Sequence, residues 1–239
     1  MTKHSENTEP SNSTKPVLSE VYDEILKMYV GKDELRNWLF KPFSVGNLAI
    51  ATNAHELIFF NKELTKSELI PCENENPQII LNNIPQERNQ SFVLDIEKIE
   101  ECFKNIPLVD VTKEVGEDIK CSECLGEGEV EWEYERWTKD MTCPKCDGDG
   151  YESTSKQVPT GEKEIDGLKL IDIKNSRFSV LMVDRLLKVR NLLNEKEITL
   201  VYQLQANKST IFKIGNIEVL CMPMMKTESN NELVVLNLA

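Results

Sequence analysis

The chain has 239 residues, 40% of them hydrophobic, which suits one large domain or two small ones with a sizeable core. Its formal charge of −13 excludes a generic nucleic-acid binder, because phosphate contacts need Lys and Arg, and leaves room only for a local basic face. Apolar runs such as Leu57 to Phe60 are far too short to span a bilayer and no charged-then-apolar leader opens the sequence, so a cytoplasmic protein with no membrane partner is expected.

Residues 1–17 are rich in Ser, Thr, Asn and Pro and are expected to form a disordered tail. Leu18, Val21, Ile25 and Met28 then recur at helical spacing, with Gly31 as a stop. A shorter helical piece is predicted from Asp33 to Phe40, ended by Pro42. Leu48 to Thr52 and Glu56 to Phe60 read as a hairpin turning at Asn53-Ala54. Ile79 to Leu81 and Ser91 to Leu94 read as strand or linker. Asp95 to Phe103 is a predicted helix with Asp95 as its N-cap.

Beyond a cysteine-rich stretch at 121–150, residues 151–167 are polar and turn-rich. Leu168 to Ile173 alternates like a strand, and Val180 to Leu193 is the clearest helix. Ile198 to Leu204, Thr210 to Ile214 and Ile217 to Met222 read as three strands, and Leu233 to Leu238 as an edge strand or a loose tail. The order is that of an α+β protein, with hairpinned antiparallel strands and two or three helices. The segments divide into a tail (1–17), two core halves (18–112 and 167–230), an insertion (113–166) and a C-terminal strand or tail (231–239).

The insertion carries two copies of Cys-x-x-Cys-x-Gly-x-Gly, at Cys121/Cys124 and Cys143/Cys146. An odd total of seven cysteines without an export signal argues for reduced thiols rather than disulfides. Cys72, Cys102 and Cys221 sit in or beside apolar runs and are expected as buried small hydrophobes. Four thiolates suit one structural Zn²⁺ held tetrahedrally, with no open position for catalysis. Glycines at matching offsets permit the tight knuckles that aim backbone amides at sulfur. Between the clips, Val130, Trp132 and Tyr134 alternate with Glu131, Glu133 and Glu135, as in a hairpin strand. Trp132, Tyr134 and Trp137 are candidate protein-binding residues.

The duplicated motif resembles the cysteine-rich zinc finger of DnaJ-type co-chaperones, and the eighteen residues between Cys124 and Cys143 resemble that family's inner repeat pair. The family has four repeats and two zincs, whereas this chain has two repeats and room for one. No His-Pro-Asp tripeptide accompanies His4 or His55, so the co-chaperone function does not follow. A second resemblance lies outside the insertion. Ile50-Ala51-Thr52-Asn53-Ala54-His55-Glu56-Leu57 resembles the Ala-Thr-Asp-x-His-x-Leu hairpin of bacterial-type DNA sliding clamps, and Val219-Leu220-Cys221-Met222-Pro223-Met224 resembles their closing strand. Asn53 stands where that family has an acidic residue, and the full clamp has three domains where this chain has residues for about one.

The clamp resemblance implies a non-enzymatic replication scaffold or adaptor with protein partners. It also implies double-stranded DNA passing through a ring of several copies or of this chain with a partner. The basic residues facing that DNA would be Arg185, Lys188 and Arg190 on one helix and Lys98 and Lys104 on or just beyond another; the alternative is an ordinary solvated helix face. The competing function is a chaperone-like module that holds unfolded polypeptide on the finger. No catalytic set is apparent, and His55 reads as a structural hydrogen-bonding residue.

Overall fold

The computed structural model describes residues 18–32, 36–72, 74–85 and 87–239; the tail and the beginning of the helical piece predicted from Asp33 lie outside them. The chain forms two compact units, one of Met1–Ile106 with Gly167–Ala239 and one of Pro107–Asp166. The first unit opens with α1 (Leu18–Met28), β1 (Phe43–Val45), β2 (Leu48–Thr52), β3 (Glu56–Asn61), α2 (Asn76–Asn82), β4 (Phe92–Val93) and α3 (Ile96–Asn105). The second unit holds β5 (Leu108–Val115), β6 (Asp118–Lys120), β7 (Glu129–Tyr134), β8 (Trp137–Thr142), β9 (Tyr151–Ser153) and β10 (Lys156–Ile165). The first unit resumes with β11 (Leu170–Ile173), β12 (Ser176–Ser179), α4 (Val180–Leu193), β13 (Thr199–Gln203), β14 (Thr210–Ile214), β15 (Ile217–Cys221) and β16 (Val234–Leu238). Among the described residues, no helix is long and apolar enough to cross a membrane.

The first unit is α+β. Its main sheet runs β1-β2-β3-β15-β14-β13-β4, antiparallel throughout, and a smaller sheet runs β12-β11-β16 with β16 parallel to β11. β3 and β15 hydrogen-bond directly, joining strands far apart in sequence. The sheet is buried on both faces, and the strands show why. Successive side chains alternate faces, yet β2 (Leu-Ala-Ile-Ala-Thr) and β3 (Glu-Leu-Ile-Phe-Phe-Asn) are apolar nearly throughout. One face carries the register row Ala51, Ile58, Val219 and Phe212. Here Tyr22 of α1 meets Phe60 with ring centroids 4.9 Å apart. The other face carries Leu57, Leu220 and Ile211, which cluster with Phe43, Ile50 and Ile84.

α1, α3 and α4 form where the spacing predicts them. α1 buries Val21, Tyr22, Ile25 and Leu26 on one stripe. α3 is capped by Asp95, whose side chain accepts from the Lys98 amide at 3.1 Å. α4 starts at Ser179, which accepts from the Leu181 amide, and stops at Asn194 in the left-handed conformation.

Several expectations need correction. Ile79 to Leu81 is neither strand nor linker; it is the middle of α2, in which Pro77 occupies the first turn and pre-sets its φ. The stretch read as polar and turn-rich after the cysteines is mostly strand, since β10 pairs with β5 on both sides of an irregularity between Pro159 and Lys163. Both faces of that ribbon are in water, so no hydrophobic alternation marks it. β12 was not foreseen, because Ser-Arg-Phe-Ser carries one apolar residue; it exists because it pairs with β11. Cys221 is buried as expected, whereas Cys72 and Cys102 are only half-buried. Leu233 to Leu238 resolves into β16, an edge strand.

The second unit consists of three two-stranded ribbons, β5/β10, β6/β9 and β7/β8. Its compact hydrophobic cluster is four cysteines with Val130 packed against them. So small a core does not hold a ribbon of this length by burial alone.

Candidate functional site

The two cysteine clips fold into matching knuckles twenty-two residues apart. In each, the residue after the second cysteine has positive φ (Leu125 56°, Asp147 49°), as do the two following glycines (Gly126 101°, Gly128 78°; Gly148 92°, Gly150 76°). That geometry turns amides onto sulfur: Gly128 N–H donates to Cys124 Sγ at 3.3 Å, and Gly150 N–H to Cys146 Sγ at 3.2 Å. The knuckles also bond each other reciprocally, Cys143 N–H to the Gly128 carbonyl at 2.8 Å and Cys121 N–H to the Gly150 carbonyl at 2.9 Å. The Glu152 carboxylate ties the clips together, accepting from the Ser122 amide at 3.1 Å and pairing with Lys145.

All four sulfurs are buried and lie within 4.8 Å of one another. The Cys121–Cys143 and Cys124–Cys146 separations are 3.8 Å and 3.7 Å. A tetrahedral ion with bonds of about 2.3 Å requires edges of about 3.8 Å, so the cluster has the size to hold one metal ion. Four thiolates favour a soft ion over a hard, oxygen-seeking one.

Two glycines are constrained by contact as well as by φ. A Cβ on Gly128 would stand 2.3 Å from the Gly148 carbonyl oxygen, and one on Gly150 would stand 2.6 Å from that of Gly126. Replacing Gly128 by Ala is therefore expected to separate the knuckles and weaken metal binding by about 10- to 100-fold. Competition against a chromophoric chelator measures this, and an unchanged affinity would show that the backbone contact is dispensable.

A second site lies in the first unit. The β2–β3 turn is held by Asn53, whose Oδ1 accepts from the His55 and Glu56 amides at 3.0 and 2.8 Å. Thr52 Oγ1 donates to the Glu56 carbonyl at 2.7 Å. Asn53 also donates its side-chain amide to Glu56 Oε2 at 3.0 Å. An acidic residue at 53 would set carboxylate against carboxylate, so this departure from the clamp-type pattern has a local reason. The turn borders a pocket of about 510 Å³ with Leu57, Ile211 and Leu220 among its lining. α2 contributes Ile79 and Ile80, and Trp38, His55 and Met222 also line it. Ile79, Ile80 and Met222 are well exposed to solvent. Sequence reading missed this pocket because α2 was not recognised; Pro77 ahead of paired isoleucines was the available signal.

Glu56 is nearly fully buried, and Arg185 of α4 pairs with it at 3.1 Å while its guanidinium lies 5.8 Å from the Tyr29 ring centroid. Burial raises the Glu56 pKa, with Arg185 and the Asn53 amide opposing the rise. Burial likewise pushes the Cys221 thiol and the Tyr29 phenol well above their ordinary values.

The other basic candidates disperse. Lys188 pairs with Asp184 at 2.6 Å, and Lys98 with Asp95 at 3.0 Å. Arg190 turns to Glu100 at 3.3 Å, and Lys104 is exposed at the end of α3. Arg185 and Lys188 line one groove between α1 and α4, which also includes Glu24 and Asp184. Trp132, Tyr134 and Trp137 are exposed on the β7/β8 hairpin.

No protein-family model matches this chain. No curated protein matches it either. Among solved structures, it is similar to a DNA polymerase sliding clamp from Pseudomonas aeruginosa with ligand: identity 13%, TM-score 0.45, covering 91% of this chain and 69% of that one. The Bacillus subtilis sliding clamp gives 12% identity and a TM-score of 0.43, covering 92% and 67%. A DnaN sliding clamp (DNA polymerase III subunit beta) from Bartonella birtlesii bound to griselimycin gives 11% and 0.46, covering 91% and 68%.

Proposed function

We propose that this protein is a non-enzymatic, zinc-binding scaffold of the sliding-clamp kind, acting in DNA replication. One observation carries the reading. The two segments whose residues resemble clamp motifs, more than 150 positions apart, run through the β2–β3 hairpin and the end of β15, where β3 and β15 are hydrogen-bonded neighbours, and both border one apolar pocket. A pocket of this size accepts a few side chains of a partner's short segment rather than a folded domain. Zinc is the ion that four thiolates at tetrahedral spacing suit best, and it is structural here because no ligand position is left open.

DNA would meet the helices rather than the acidic remainder, in a ring that several copies or a partner chain complete. Arg185 and Arg190 are held largely out of solvent by Glu56 and Glu100, so the charge facing DNA would rest on Lys104 and on Lys188 and Lys98, which stay exposed although they pair with Asp184 and Asp95. A ring holds DNA by topology. The protein is expected to stay on a nicked circular plasmid through gel filtration at moderate salt and to run off once the plasmid is linearised. Lys188→Glu with Lys104→Glu is expected to reduce retention about tenfold, through lost phosphate contacts. Equal retention on circular and linear DNA, or none on either, would defeat the clamp reading.

Exposed Trp132, Tyr134 and Trp137 favour a second reading, a chaperone-like module holding unfolded polypeptide. It requires that the protein suppress aggregation of a denatured client, and that Trp132→Ala with Trp137→Ala remove the effect.

A further inference from the structure

We infer that the β7/β8 hairpin is a docking face for an extended cationic segment, a Lys- or Arg-bearing stretch of a partner protein. The inference rests on the metal-stapled finger proposed above and names what that finger recognises.

The hairpin has two chemically different faces. Cross-strand pairing places Val130 opposite Met141, Trp132 opposite Lys139 and Tyr134 opposite Trp137, and these pairs share one face. The intervening pairs, Glu129 with Thr142, Glu131 with Asp140 and Glu133 with Thr138, share the other. One side is thus aromatic and the other acidic. The aromatic side has no structural task inside the unit, because the cysteine cluster takes only Val130 from it. Trp132 and Tyr134 stack with centroids 5.8 Å apart and planes 8° from parallel, so their rings form one continuous platform. Trp137 is 77% exposed beside them. Among the described residues, the cation–ring contacts are those of Lys174 with Phe92 and Arg185 with Tyr29; Lys139 shares the aromatic face as the cross-strand neighbour of Trp132 but makes no such contact with the finger's rings.

Charge selects the occupant. Residues 121–150 hold nine acidic and three basic side chains, a net of −6. A zinc tetrathiolate would add a further −2. The acidic face is one ribbon thickness from the aromatic face, within the Debye length of about 8 Å at physiological salt, so a ligand on the rings feels that field. A cleft of about 430 Å³ beside Cys124, lined by Glu123, Glu127, Glu129 and Glu131, extends it. Ring faces attract ammonium and guanidinium groups, and surrounding carboxylates exclude phosphate. The ribbon pairs with no third strand among the described residues. Its free edges can therefore take main-chain hydrogen bonds from an extended peptide, and the rings supply side-chain specificity. A second copy of the finger is disfavoured at this face by the finger's own net charge of −6.

The test uses the full chain, with metal content measured on the same sample. Three fluorescein-labelled peptides of equal length, alternating Leu with Lys, Ser or Glu, are titrated by anisotropy at low and high salt. The Lys peptide is expected to bind about tenfold or more tighter than the Ser peptide, to weaken with salt, and to lose about tenfold in W132A/W137A with metal content unchanged. Equal binding of all three peptides, or cationic binding indifferent to W132A/W137A, would overturn the inference. Self-association abolished by W132A/W137A would overturn it in favour of a second copy. A metal-loaded protein that ignores the Lys peptide sinks this inference and leaves the metal reading standing. A metal-free protein that still binds it through Trp132 and Trp137 does the reverse.

Discussion

Replacing Cys143 by Ser is expected to abolish metal binding and to unfold residues 121–150, while the sheet of the first unit keeps its own cooperative transition. The reason is the size of the local core. Only Val130 packs against the four cysteines, and the rest of β7 and β8 is exposed. Apparent zinc affinities of such peptides correspond to about 10–16 kcal/mol, and this is folding free energy because no preformed site exists in the unfolded segment. Three remaining thiolates cannot close a four-sulfur site, and the left-handed knuckles at Leu125 and Asp147 would have nothing to hold them. Elemental analysis should give one metal per chain for the parent protein and none for the variant. Trypsin should then cut the variant rapidly at Arg136 and Lys139 and spare the parent. A variant that resists proteolysis as the parent does would show that the ribbon folds without its ion. A strong chelator should reproduce the variant's behaviour in the parent protein.

Arg185→Met is expected to cost about 3–5 kcal/mol of stability at neutral pH, a large effect for one helix residue. The substitution leaves the Glu56 carboxylate buried and charged with only Asn53 to answer it. The sign of the pH dependence follows from the raised Glu56 pKa. Between its unfolded and folded pKa values, the folded state holds more protons than the unfolded one, so this group's contribution to stability falls as pH rises through that window. Removing Arg185 removes a cause that lowers the pKa, so the window widens upward. The deficit of the variant should be largest at neutral pH and shrink on acidification, as Glu56 takes up its proton. Denaturant titrations of parent and variant across pH measure it. A deficit independent of pH would mean that packing of the guanidinium on Tyr29, not charge, dominates.

The two sites differ in how far they could be read from sequence. The four-cysteine cluster is local: two eight-residue motifs carry all four sulfurs and every glycine that shapes the knuckles, so spacing alone brought Cys121, Cys124, Cys143 and Cys146 together as a candidate metal site. The pocket is non-local. Its two strand segments were visible as resemblances, but α2 was hidden, because seven residues are too few to display a helical period. The basic residues expected to face DNA illustrate the same limit. Arg185, Lys188 and Arg190 follow one another along α4, yet one pairs with a buried Glu56, one with Asp184 and one with Glu100 of α3.

By itself, the sequence determined the elements whose signals lie within a turn or two of chain: α1, α3 and α4 with their caps and stripes, the β2–β3 hairpin with its Asn53 turn, β13 to β15, and the four-sulfur cluster. Only the tertiary structure decided the pairing of β3 with β15, the existence of β10 and β12, the pocket, and the partner of Arg185. Those features depend on groups far apart in the chain. Helical period, capping and ligand spacing are short-range, whereas strand pairing and charge burial are set by which distant segment arrives alongside.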